Sequence, residues 1–147
     1  MLPLFKTLPY REAPKVILAG GETTVNLKGR PKGKGGRNME AVLGVLAQLP
    51  ITNYQLQKNC VFLSVASDGR DNTEAAGAIG DILTIKKAKN LNIDSREFLD
   101  KNDSFNFFKK TGDLIFTEQK TFNVADLMII LKSTNNVFAK GESPKGL

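Results

Sequence analysis

The chain reads as a layered α/β domain with a mixed sheet, on three observations. Short apolar runs rich in β-branched residues, KVILAG, NCVFLSVAS and DLMIILK, have the length and composition of strands. Between them lie segments with apolar residues at helical spacing, of which RNMEAVLGVLAQL is the clearest. Strands and helices then alternate along 147 residues, a length that suits one core.

Taken in order, residues 1–14 hold Pro3, Pro9 and Pro14 without a clear period and read as an arm or linker remnant. KVILAG, closed by Gly20 and Gly21, is a buried strand, and ETTVNLKG, alternating Thr24 and Asn26 with Val25 and Leu27, a second one. A glycine-rich basic loop runs from Gly29 to Gly36. The helix after it sets Met39, Val42, Leu43, Leu46 and Leu49 on one face and ends at Pro50. Cys60–Ala66 is a central strand and DGRDN a tight turn. Ile82–Asn90 is helical, with residues 74–81 a less regular approach to it. Two short helices start at Asp94 or Ser95 and at Asp103 or Ser104 as caps. DLIFT and DLMIILK are the last strands, and the short strands at Val25 and Asp113–Thr117 favour a mixed sheet over a parallel one. The domain spans residues 15–134, and 135–147 is a polar, flexible tail.

The formal charge is +6, which suits an anionic partner. No histidine is present, which removes histidine general bases, serine–histidine triads and histidine-bound zinc. The single cysteine, Cys60, allows no internal disulfide and suits a reducing compartment. It opens an apolar strand and reads as core. No apolar stretch is long enough to span a membrane, and the expected location is the cytoplasm.

The Gly29–Gly36 loop fits neither G-x-x-x-x-G-K-[ST] nor G-x-G-x-x-G. It nevertheless supplies what a phosphate cradle needs: glycine amides that an anion can approach and a helix N-terminus behind them. Lys34 and Arg37 add charge, and Arg37 can grip a carboxylate or phosphate with two parallel hydrogen bonds. An ordinary solvated basic turn is the alternative, and a nucleic-acid patch over Lys28–Arg37 a third reading, weakened by the lack of a base-stacking face. Asp68 and Asp71 follow the most apolar strand and can face one pocket, to bind magnesium or orient a hydroxyl; otherwise Asp68-Gly69 is turn chemistry and Asp71 or Thr73 a helix cap. Glu22 follows the Gly20-Gly21 strand end and can orient a lysine, an arginine or a hydroxyl, or sit exposed on a hairpin turn. Phe105, Phe107 and Phe108 read as core.

Five segments in one order, ILAGGETTV, GKGGRNMEAVL, SDGRDNTEAAGA, FLDKNDSFNFFKKTGDLIFT and FNVADLMIIL, make the stretch from Lys15 to Leu131 resemble the C-terminal MOFRL domain of the glycerate 2-kinases, proteins that have also carried the name hydroxypyruvate reductase. The resemblance implies a three-layer α/β/α domain with a mixed sheet, and transfer of the ATP γ-phosphoryl group to the 2-hydroxyl of D-glycerate. It places the active site in a cleft against a larger N-terminal domain that carries its own proposed catalytic lysine, and makes ATP and Mg²⁺ the cofactors of the complete enzyme. It gives Arg37, Asp68 and Asp71 catalytic roles, with magnesium on the two aspartates. Gly21, Glu22, Lys34, Gly35, Gly36 and Asn38 become substrate or phosphate contacts, with Glu22 fixing Arg37 or Lys34. Met39, Asn72, Phe122 and Ala125 depart from the family's usual residues, which touches fine substrate contacts rather than the fold. Residues 1–14 then look like the end of a connection to the larger domain. The expected partners are that domain, in cis or in trans, and a small anionic substrate, with no membrane and no nucleic acid. Alone, the chain is expected to show little or no kinase activity; the alternative is a non-catalytic split subunit or remnant that binds small anions.

Overall fold

Along Cys60–Ala66 burial alternates residue by residue, with Cys60, Phe62, Ser64 and Ala66 turned inward. This strand fixes the sheet. The computed structural model describes residues 15–26, 29, 33–49, 59–118, 120 and 124–133. They form β1 (Lys15–Gly21), α1 (Arg37–Gln48), β2 (Cys60–Ala66), β3 (Gly77–Gly80), α2 (Ile82–Asn90), α3 (Ser95–Asp100), α4 (Ser104–Thr111), β4 (Leu114–Ile115) and β5 (Asp126–Lys132). The expected arm at 1–14 and tail at 135–147 lie outside the described residues, as do Lys28, Arg30 and Lys32 of the basic loop.

The sheet order is β1-β5-β2-β3-β4, so the last strand sits between the first two long ones. In register, Ile17 faces Ile130, which faces Phe62, which faces Gly80. The α/β class holds, and of the three layers expected the described residues supply the sheet and the helices on one of its faces. Where a mixed sheet was expected, every pairing among the described strands is antiparallel. One cause is β3, which lies in the stretch read as an approach to a helix. It returns from β2 through the turn at residues 67–76 instead of through a crossover helix, and a short return gives antiparallel pairing. Its sequence GAIG carries little strand signal because α1 packs closely above it. A Cβ on Gly80 would come within 2.9 Å of Leu46 and Val42. The strand expected at ETTVNLKG is absent over residues 22–26, because β5 begins at Asp126, opposite Gly21, and offers nothing beyond it to pair with.

Helix ends follow their side chains. Asp81 and Thr84 form a reciprocal capping box on α2, Asp94 caps α3, and Gly112 closes α4 in the left-handed region at φ 75°. The core lies between α1, the shorter helices and one sheet face. Met39, Leu43, Leu46, Phe62 and Ala78 meet Phe105, Phe107 and Phe108 there. Phe107 packs edge-on against both Phe98 and Phe108, with centroids 5.6 and 5.2 Å apart. Cys60 belongs to the same cluster, and burial pushes its thiol pKa up. The opposite sheet face holds Val16, Leu18, Leu63, Leu127 and Leu131, none of which joins that cluster.

Candidate functional site

The first turn of α1 has no cap of its own. Gly36 stands at the N-cap position and has no side chain to accept from the helix amides. Asp71, from the turn after β2, does that work from a distance in sequence. Its Oδ1 accepts from the Asn38 amide at 3.1 Å and from Asn38 Nδ2 at 3.3 Å, and its Oδ2 accepts from the Met39 amide at 2.9 Å. Ser64 Oγ on β2 donates to Asn38 Oδ1 at 2.5 Å, which completes a chain of buried polar groups. Gly36 is required by this approach: a Cβ there would run into the Asp71 carbonyl and carboxylate. Gly35 lies equally close to Ser104 Oγ, so these glycines serve backbone packing. Burial raises the Asp71 pKa against the amides of Met39 and Asn38, which pull it down, and the Asp126 charge adds to the rise.

This corrects two expectations. Asp71 is 3% exposed and turned onto α1, so it does not face an open pocket with Asp68. Asn38 is fully buried, and the helix amides that an anion would have used are occupied by Asp71. Asp68 sits in turn geometry, its Oδ1 accepting from the Arg70 amide at 3.0 Å. No hydrogen bond among the described residues joins it to Asp71, Arg37 or Lys34. Two acceptor atoms already holding three donors do not fit a magnesium shell at Asp71, and the described residues hold no cluster of three or more metal-ligating side chains.

Arg37, the first residue of α1, points to the end of β5. Its Nε donates to Asp126 Oδ2 at 2.5 Å and its Nη2 to Asp126 Oδ1 at 3.1 Å, a two-pronged grip on a carboxylate that is itself fully buried. The same Nη2 reaches Glu22 Oε1 at 3.2 Å, just past Gly21 at the end of β1. The bond to Asp126, with smaller contributions from both carboxylate charges, raises the guanidinium pKa further. The side chain stays 30% exposed, and Nη1 donates to no described residue. The result is a guanidinium of fixed orientation at the strand ends, whose Nη1 has no partner among the described residues.

Lys34 is held differently. Its amide donates to Asp103 Oδ1 at 2.9 Å, and its ammonium bonds Glu74 at 2.9 Å while lying 3.8 Å from the centre of the Phe105 ring. That contact lowers the Glu74 pKa. With Gly33, Gly35, Asn72, Lys101, Asp103 and Asn106, Lys34 lines an open cleft of about 680 Å³. Among the described residues, the amides of Gly35 and Gly36 have no acceptor.

Residues 15–126 match the model of the MOFRL family. The chain belongs to the MOFRL family. Among its relatives, this MOFRL chain is 40% identical over 119 residues to a glycerate kinase of Danio rerio, covering 78% of the chain and 23% of that protein. It is 38% identical over 126 residues to the D-glycerate 2-kinase of Thermotoga maritima, covering 85% of the chain and 28% of that protein. The crystal structure of the glycerate kinase from Thermotoga maritima superimposes with a TM-score of 0.73 at 37% identity, over 87% of the chain and 29% of that structure. The chain thus spans about a quarter of the length of these relatives. Among the described residues of this MOFRL domain, no helix is long and apolar enough to cross a membrane.

Sequence reasoning passed over Asp126 and Ser64. A lone aspartate opening the aliphatic run DLMIILK is a visible signal, because a charge at the start of a buried strand needs a partner. Ser64 carries no comparable mark, since one hydroxyl inside VFLSVA is common in strands.

Proposed function

We propose that this chain supplies the MOFRL part of a glycerate 2-kinase and takes part in ATP-dependent phosphorylation of D-glycerate to 2-phosphoglycerate, completed by the larger domain that its relatives carry. The observation that carries this reading is the Arg37 guanidinium, set by Asp126 and Glu22 at the end of the sheet while Nη1 meets no acceptor among the described residues. Phosphoryl transfer depends mainly on positioning and charge around the transferring group. In this proposal Nη1 of Arg37 binds the glycerate carboxylate or a phosphoryl oxygen. Asp126 keeps the fork in register, and Glu22 holds the second nitrogen. Lys34, paired with Glu74, and the amides of Gly35 and Gly36, which meet no acceptor among the described residues, line the neighbouring wall. ATP would supply the phosphoryl group, and Mg²⁺ bound with it would offset the charge of the transferring group. Of the two aspartates expected on magnesium, Asp68 keeps an oxygen free of described partners, and Asp71 supports the site by holding α1.

The test replaces the matched region of the Thermotoga maritima enzyme with this chain and assays ATP-dependent phosphorylation of glycerate. The chimera should turn over and the isolated chain should not. Arg37→Lys in the chimera should lower kcat about a hundredfold, since lysine cannot reproduce the fork. Unchanged kcat in a folded variant would remove Arg37 from the transition state, and strong turnover by the isolated chain would refute the dependence on a second domain.

A further inference from the structure

The sheet has two apolar faces, and the described residues cover only one. Facing away from the helices, β1 presents Val16 and Leu18, β5 presents Leu127 and Leu131, and the aliphatic residues of β2 and Ile79 of β3 continue the surface in register. Among the described residues of β1, β5, β2 and β3, none on this face is charged. Val16 is 59% exposed and Leu18 66%, while Leu127, Leu131 and Ile79 range from 42% and 44% down to 36%. Strands β1, β5 and β2 have 7 residues each, so the surface is about 23 Å long and some 15 Å wide, a few hundred Å². Patches at this end of the range mark interaction sites. Strands that are apolar on both faces belong to sheets covered on both faces.

The occupant has to be aliphatic and broad. The longer segments of this chain beyond the described residues do not match that need. Residues 1–14 are interrupted by three prolines, 50–58, PITNYQLQK, hold only Ile51 and Leu56 as aliphatics, and 134–147, TNNVFAKGESPKGL, is mostly polar. The relatives, by contrast, carry roughly three-quarters of their length beyond the matched part. We infer that this outer sheet face, centred on Leu18, Leu63 and Leu131, is the docking surface for the larger body of polypeptide found in those relatives. The inference rests on the reading that the chain works as one part of such a kinase. It adds which surface makes the joint, and sets it on the sheet face opposite the helices.

Thiol labelling tests it. Cys60 is buried, so an introduced cysteine reports on its own position. In the isolated chain, Leu18→Cys should react with a maleimide about as fast as a control, Lys86→Cys, on the exposed side of α2. In the chimera described above, Leu18→Cys should react at least tenfold more slowly while Lys86→Cys is unchanged. Equal rates at Leu18→Cys in the two proteins would overturn the inference, even if the chimera phosphorylates glycerate. Protection without turnover would uphold the surface and refute the kinase reading, so the two failures are separable. A second measurement uses the isolated chain alone. Leu18→Lys with Leu131→Lys should leave its far-ultraviolet dichroism and Tm nearly unchanged. Unfolding by that pair would show that the chain already covers this face itself. Sedimentation as a dimer that protects Leu18→Cys would assign the face to a second copy. Either result would overturn the proposal.

Discussion

Replacing Asp71 by alanine should destabilise the isolated chain by about 2–4 kcal/mol. The figure follows from what the carboxylate holds: two helix amides and one side-chain amide, at 2.9 to 3.3 Å, in a site that is 3% exposed. Hydrogen bonds to charged groups contribute about 1.5–3 kcal/mol each, and loss of a helix cap costs about 0.5–2 kcal/mol. The desolvation that raises the Asp71 pKa offsets part of this, since alanine removes a carboxylate that was uncomfortable where it lay. For a domain of this size the loss corresponds to a fall in Tm of roughly 10 °C. Urea unfolding followed by circular dichroism, with calorimetry for Tm, gives the number. Asp71→Asn retains one acceptor oxygen and should fall between wild type and Asp71→Ala. Adding Gly36→Ser to Asp71→Ala should not rescue, because a Cβ at residue 36 still meets the carbonyl of residue 71. A loss below about 0.5 kcal/mol for Asp71→Ala, or full rescue by the serine, would refute the view that this carboxylate caps α1.

The pH dependence has a definite sign. A carboxyl raised in the native state contributes stability that is complete below the ordinary aspartate value near 4 and is lost as pH rises through its raised native value. The stability gap between wild type and Asp71→Asn should therefore narrow with rising pH across that window, and urea titrations showing it widen would reverse the assignment. Gly36→Ala in the otherwise native chain should be among the most damaging single-methyl additions, at about 2–4 kcal/mol, because the new carbon meets backbone and carboxylate together; equilibrium unfolding checks it. Phe107→Ala opens a void between two edge-on rings and should lower stability by about 3–5 kcal/mol in the same assay.

What could be read from the sequence was what periodicity and punctuation encode. Cys60–Ala66 and Ile82–Asn90 carry strong local patterns, and the structure has those elements at those residues. β3 was hidden because its glycines are there for a tertiary reason, the approach of Val42 and Leu46 at Gly80 and of the Ser64 backbone at Gly77, and no local signal reports a neighbour in space. The site shows the same division. Arg37 and Glu22 stand beside legible strand and helix ends, and they meet at 3.2 Å. The role of Asp71 was legible in kind, as a helix cap, but its helix lies on the far side of β2 in sequence, and only the fold makes the two adjacent. Asp126 was invisible as a partner for Arg37 for the same reason: 89 positions separate them.

The strand order has a consequence for how the molecule is made. Among the described strands, β1 leaves the ribosome first yet is joined to the sheet only through β5, which leaves last. Until residue 132 has emerged, the opening segment KVILAGG has no ladder to join and Arg37 has no Asp126 to grip. Assembly of this kind, governed by contacts between distant ends of the chain, is intrinsically slow and leaves apolar strands unpaired meanwhile. A nonsense mutation or proteolytic cut just before Asp126 would remove one strand from the sequence and two from the sheet.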